Sequence, residues 1–135
     1  MPTSIGTAVV LETMWGTPGS APGWFRINPQ NHSGKRLFTL LGAPEVVWVT
    51  NCCREQVGHA THHGVPDVDW LIKNLKRVEF DRLLLCGKVA QETFARIGLD
   101  TASVLRGATV FRLPHPAARN WTKQLIQEWK EKLKI

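Results

Sequence analysis

The order of apolar and turn-forming segments predicts an α/β fold. It is a three-layer α/β/α sandwich in which helices cover both faces of a central, mostly parallel four-stranded sheet. Three observations carry this. EVVWVTN at residues 45–51 and RLLLCG at residues 82–87 are short, nearly continuous runs of β-formers, as expected of strands buried on both faces in the middle of a parallel sheet. Segments of helical periodicity separate these runs, so strand and helix alternate along the chain. No internal repeat or low-complexity tract breaks the alternation, and residues 1–135 read as a single domain.

In chain order, TAVVLETMW at residues 7–15 has the β-branched content of a first strand, and the glycines and prolines of GTPGSAPG end it. The loop that follows runs to about residue 33, and loops of that length in compact domains are usually functional or mobile. SGKRLFTLLG is a short helix with Ser33 as its cap, Leu37, Leu40 and Leu41 on one face and Gly42 at its stop. PDVDWLIKNLKRV is the next, capped by Asp67 and turning Trp70, Leu71 and Leu75 inward. VAQETFARIG follows the RLLLCG strand with Val89, Ala90, Phe94 and Ile97 on its apolar side and Gly98 at its end. TVFRLPHP, from Thr109, supplies the fourth strand and a Pro-His-Pro turn. A last helix from about Ala118 buries Trp121, Leu125, Ile126, Trp129 and Leu133 and leaves Lys123, Lys130 and Lys134 outward.

In open parallel sheets ligands bind beyond the carboxyl ends of the strands. Topology therefore brings together the loop after Trp15, the Asn51-Cys52-Cys53 turn and the Pro114-His115-Pro116 turn.

Lys and Arg outnumber Asp and Glu by 17 to 11, giving a net charge of +6. Such an excess on a small domain attracts polyanions by releasing their counterions, so nucleic acid is the first partner to consider. No apolar run is long enough for a bilayer, and MPTSIGTAVV lacks a signal peptide's basic and apolar regions. These features predict a cytoplasmic, soluble protein with no membrane partner. Three cysteines, two of them adjacent as Cys52 and Cys53, make no disulfide framework and suit a reducing compartment.

Three segments together resemble the uracil-DNA glycosylase superfamily. VVLETMWGTPGS followed by NPQNHSGKRLFTLLG is similar to the strand, Pro-Gly loop and helix that open those proteins. VVWVTN ends in Asn51 as their second strand ends in a base-reading residue. RLLLCGKVAQETF followed by FRLPHPAARNW is similar to their hydrophobic strand, Gly-x-x-Ala helix and His-Pro loop. The resemblance implies a DNA glycosylase that works as a monomer without cofactor. It would flip a uracil or another modified or mismatched base out of single- or double-stranded DNA and hydrolyse its N-glycosidic bond.

The chemistry needs a donor for the negative charge that develops on the departing base, and a polar group that positions water or the sugar cation. His115 occupies the family's His-Pro position and would be the donor; a turn histidine satisfying backbone groups is its plainer role. For the water, the family carries Asp, Asn or Glu in the first motif, whereas Gly16, Thr17 and Pro18 here sit in a loop with no acid. Asn28 in Ile-Asn-Pro, similar to the Asn of mismatch-specific and thymine-DNA glycosylases, is the preferred candidate, with Glu12 as the alternative.

Substrate contacts would come from Gly16, Thr17 and Pro18, and from Asn51, whose amide offers a donor and an acceptor side by side; a strand-ending Asn making a local turn is its plainer role. Trp24 and Phe25 would stack on the base, or else pack the loop onto the core. Lys35 and Arg36 at a helix start, with Arg119 and Asn120 after the His-Pro loop, would hold DNA phosphates. The alternative for these is a solvated basic face. His59, His62 and His63 near Cys52 and Cys53 have no common zinc spacing, and no metal is expected. The rival to an enzyme is a family member that has lost hydrolysis and binds DNA or a protein, favoured by the missing acid and by Ala117 in place of the usual Ser.

Overall fold

The chain builds one sheet of strand order β2-β3-β1-β4-β5 in a computed structural model that describes residues 4–11, 24–26, 30, 32–42, 48–53, 66–116 and 121–134. The strands are β1 (Ser4–Leu11), β2 (Phe25–Arg26), β3 (Trp48–Asn51), β4 (Glu79–Cys86) and β5 (Thr109–Leu113). β3, β1, β4 and β5 are mutually parallel, and the two-residue β2 is added antiparallel at the β3 edge. The helices are α1 (His32–Leu41), α2 (Val68–Lys76), α3 (Lys88–Ala95), the short α4 (Thr101–Leu105) and α5 (Lys123–Leu133). The expected α/β sandwich with a four-stranded parallel core is therefore present.

Alternation along β1 divides the core in two. Ala8 and Val10 pack with Leu71 and Leu75 of α2, Ala90 and Phe94 of α3 and Val104 of α4. Val9 and Leu11 face the other way, with Leu37 and Leu40 of α1, Leu84 and Cys86 of β4 and Leu133 of α5. Successive residues of a strand point to opposite faces, so a central strand covered on both sides must be apolar at every position, as Leu83 to Cys86 are.

Several boundaries differ from the sequence reading for local reasons. β1 begins earlier, at Ser4, and β4 begins at Glu79, three residues before the apolar run. Glu79 and Asp81 are exposed while Phe80 between them is buried, so this part of β4 alternates. α1 starts at His32, so Ser33 lies in its first turn and is not the cap. Asp67 caps α2 as expected, accepting from the Trp70 N–H at 3.0 Å. α5 begins later than Ala118: Thr122 caps it by accepting from the Leu125 N–H at 3.1 Å, and Trp121 precedes the helix. Lys123 and Lys134 are exposed, whereas Lys130 is half-buried.

All three cysteines are buried and none is in a disulfide. Burial pushes the Cys86 thiol up from 9.0 to about 12. The native protein is expected to resist a thiol reagent at pH 8 and to take up label at all three positions once denatured, counted by mass spectrometry. Because the folded state holds the Cys86 proton more tightly, its contribution to stability is complete below about pH 9 and falls as pH rises toward 12. Cys86→Ala should flatten that decline in unfolding free energy; an unchanged slope would place its origin elsewhere.

Candidate functional site

The strand order has its switch point between β1 and β4: the chain leaves β1 toward β3 on one side, and leaves β4 toward β5 on the other. The carboxyl ends around this point are tied together by backbone hydrogen bonds. The Cys52 N–H donates to Leu11 O at 2.9 Å, joining the ends of β3 and β1, and the Asp67 N–H donates to Cys52 O at 2.8 Å, fixing the start of α2 beside them. Across the switch point, the Gly87 N–H donates to Leu113 O at 2.9 Å. The Gln91 amide of α3 donates to Leu113 O at 3.0 Å and Leu85 O at 3.2 Å.

Asn51 ends β3 and is 5% exposed. Among the described residues no donor reaches its Oδ1. A buried carbonyl oxygen left without a donor costs about 1–3 kcal/mol, so such an atom calls for a partner in water, in another part of the chain or in a ligand. The neighbouring Thr50 is satisfied, since its Oγ1 accepts from Asn74 Nδ2 at 3.2 Å.

His115 lies just beyond β5, with its ring against Gly87 at the end of β4. A Cβ placed on Gly87 would be 3.1 Å from His115 Cβ and 3.4 Å from Cδ2. Gly87 also has φ 95 and ψ 162, a region that residues with a side chain essentially do not occupy. Two separate constraints thus require glycine here. Gly87→Ala is expected to cost about 1–3 kcal/mol of stability and to displace the His115 ring. Denaturant unfolding and the ring's NMR shifts would check this; unchanged shifts would show that the ring does not depend on Gly87.

The turn carrying His115 is held from both sides. Trp121 Nε1 donates to Pro114 O at 3.1 Å, and the Arg36 guanidinium donates to Pro116 O. Arg36, expected at DNA phosphate, is thus engaged by the turn, while Lys35 beside it is exposed.

Trp24 requires a correction. It is fully buried in the core, and its indole donates to Asn74 O at 3.0 Å, so neither ring face is open to stack on a base. Of the two roles the sequence allowed it, packing prevails because the backbone pairing of β2 with β3 draws the residue before it against α2. The Phe25 backbone belongs to β2. Glu12, Gly16, Thr17, Pro18, Asn28, Arg119, Asn120 and the His59, His62 and His63 segment lie outside the described residues. Among the described residues no cluster of His, Cys, Asp or Glu could hold a metal, and no helix is long and apolar enough to cross a membrane.

Sequence reasoning missed Gln91, Trp121 and Gly87 as supports of the His115 turn. Gly87 was legible as a glycine between strand and helix. The other two act through backbone carbonyls, and carbonyl contacts leave no residue pattern. No protein-family model matches the chain, and no curated protein matches it significantly.

Proposed function

We propose that this protein is a DNA glycosylase that hydrolyses the N-glycosidic bond of uracil or another modified or mismatched base flipped out of DNA. The observation that carries the reading is the buried Asn51 Oδ1, which no donor among the described residues reaches, at the carboxyl end of β3, the end of the sheet at which His115 also lies. β1 alone separates β3, which ends at Asn51, from β4, which ends where the His115 ring rests. Two strand spacings are roughly 10 Å. A six-membered heterocycle about 4–5 Å across with a hydrogen bond of about 2.9 Å at each end is of the same scale as that backbone spacing.

In this reading Asn51 accepts from the base's ring N–H, and His115 donates to a carbonyl oxygen of the base. As the bond from nitrogen to C1′ breaks, the electron pair stays on the base, where the His115 hydrogen bond stabilises it. Water, positioned by Asn28, bonds to C1′ through its oxygen and releases a proton to solvent, from which the departed base anion is protonated. The resemblance in the first, second and final motifs and the +6 charge support DNA as the carrier of that base.

The test is incubation with single- and double-stranded oligonucleotides carrying one uracil, hypoxanthine or modified pyrimidine, followed by alkaline cleavage of abasic sites. Cleavage at one such base is expected, with affinity falling steeply as salt rises because phosphate contacts release counterions. Salt-dependent binding without base release would instead identify a binding module. Absence of binding even at low salt would remove DNA as the partner.

A further inference from the structure

We infer that Arg36 and Trp121 are positioning residues that clamp the carbonyls on either side of His115 and so aim its ring across the switch point of the sheet. The inference rests on the glycosylase reading for its consequence in rate, but not for the clamp itself. Proline has no N–H and a fixed φ, so positions 114 and 116 offer the turn only carbonyl acceptors, and what donates to those carbonyls sets its orientation. Both acceptors are taken by side chains from other elements: Pro114 O by the Trp121 indole at 3.1 Å and Pro116 O by the Arg36 guanidinium. The residues preceding the prolines, Leu113 and His115, are confined to extended conformations, which leaves the turn few alternatives once both carbonyls are held.

The two donors stand on rigid ground. Arg36 is next to Leu37 on α1, and Leu37 and Leu40 are buried in the same cluster as Trp121, Leu113 and Leu133. Trp121 is itself 7% exposed and immediately precedes the Thr122 cap of α5. Below the ring, Gly87 supplies the floor, and its N–H and the Gln91 amide fix Leu113 O, two residues before His115. The turn that carries His115 is therefore held from α1, from α3, from the end of β4 and from the residue before α5, and Arg36 is the part of that frame contributed from farthest along the chain.

The experiment compares wild type with Arg36→Gln, Arg36→Lys and Trp121→Phe, each shown to be folded by its thermal transition. The readouts are single-turnover base release at saturating protein, oligonucleotide affinity, and the His115 ring signals in a carbon–proton NMR spectrum. Arg36→Gln is expected to slow release by about 10- to 100-fold, because small misplacements of a reacting group are costly. Affinity should stay within about twofold, and Arg36→Lys should recover part of the rate. Trp121→Phe, which removes the donor and keeps most of the packing, should act in the same direction. Both donor-removing variants should shift or broaden the His115 signals without any oligonucleotide present.

Lost affinity with retained rate and unmoved ring signals would overturn the clamp and make Arg36 a phosphate contact. If wild type releases no base from any oligonucleotide, the glycosylase reading fails by itself; the ring signals then decide the clamp alone, supporting it if they move and overturning it if they do not.

Discussion

If the protein is the proposed glycosylase, alanine at His115 is expected to slow base release by about 10²-fold or more at saturating substrate while leaving oligonucleotide affinity nearly unchanged. A donor aimed at the oxygen that gains charge as the base departs strengthens mainly in the transition state, so its loss appears in the rate and hardly in ground-state binding. The supports around His115 suit such a role: its ring rests on Gly87, and the carbonyls on either side of it accept from Trp121 and Arg36. Asn28→Ala should show the same split between rate and affinity if Asn28 positions water, whereas Glu12→Ala would show it if the acid fills that place. Single-turnover kinetics with a fluorescently labelled oligonucleotide separate the two quantities. The result that sinks the assignment is a His115→Ala protein altered only in melting temperature, which would leave the residue as a structural turn histidine.

The parallel architecture was legible because its strongest signals are local. VVWV and LLLC are apolar at consecutive positions, and Asp67 stands where a cap must stand before an amphipathic run. β2 was not legible: a two-residue pairing has no period to detect, and its partners Val49 and Trp48 are far along the chain. α4 was missed for a related reason, since in its five residues only Val104 is buried and a single contact makes no helical stripe. β1 and β4 start earlier than their apolar runs because Ile5 and Phe80 pair across the sheet within segments that look polar when read singly.

The candidate site divides along the same line. Asn51 and His115 were found because strand ends can be placed from sequence and both residues carry chemistry. Their consequences depended on structure: the absence of a donor to Asn51 Oδ1 among the described residues is a three-dimensional fact, as is the packing of His115 on Gly87. Arg36 shows why charge alone misleads. A guanidinium five residues into α1 fits a phosphate contact as well as a carbonyl contact, and the two differ only in what lies within its reach.

Trp24→Ala is expected to lower the free energy of unfolding by about 3–5 kcal/mol, the range for removing a large buried aromatic side chain. Trp24 has no exposed surface, packs in the cluster that joins β1, β4, α2 and α3, and donates its indole N–H to Asn74 O. Trp24→Phe keeps much of the packing and loses the donor, so it should cost less than alanine, about 1–3 kcal/mol. Guanidinium unfolding, with the midpoint and slope fitted separately, distinguishes lost stability from a changed unfolded state. A base-stacking Trp24 gives the opposite pattern, with stability hardly altered and oligonucleotide affinity reduced. The core role also has a consequence for the site. Asn74, whose carbonyl accepts from Trp24, donates from its side chain to Thr50, the neighbour of Asn51 on β3. Loosening Trp24 therefore loosens the end of the strand that presents Asn51. Base release by Trp24→Ala, measured far below its melting temperature, should fall in step with its loss of stability and recover partly in Trp24→Phe; normal release by a protein destabilised that far would separate the Asn74 and Thr50 contacts from the positioning of Asn51.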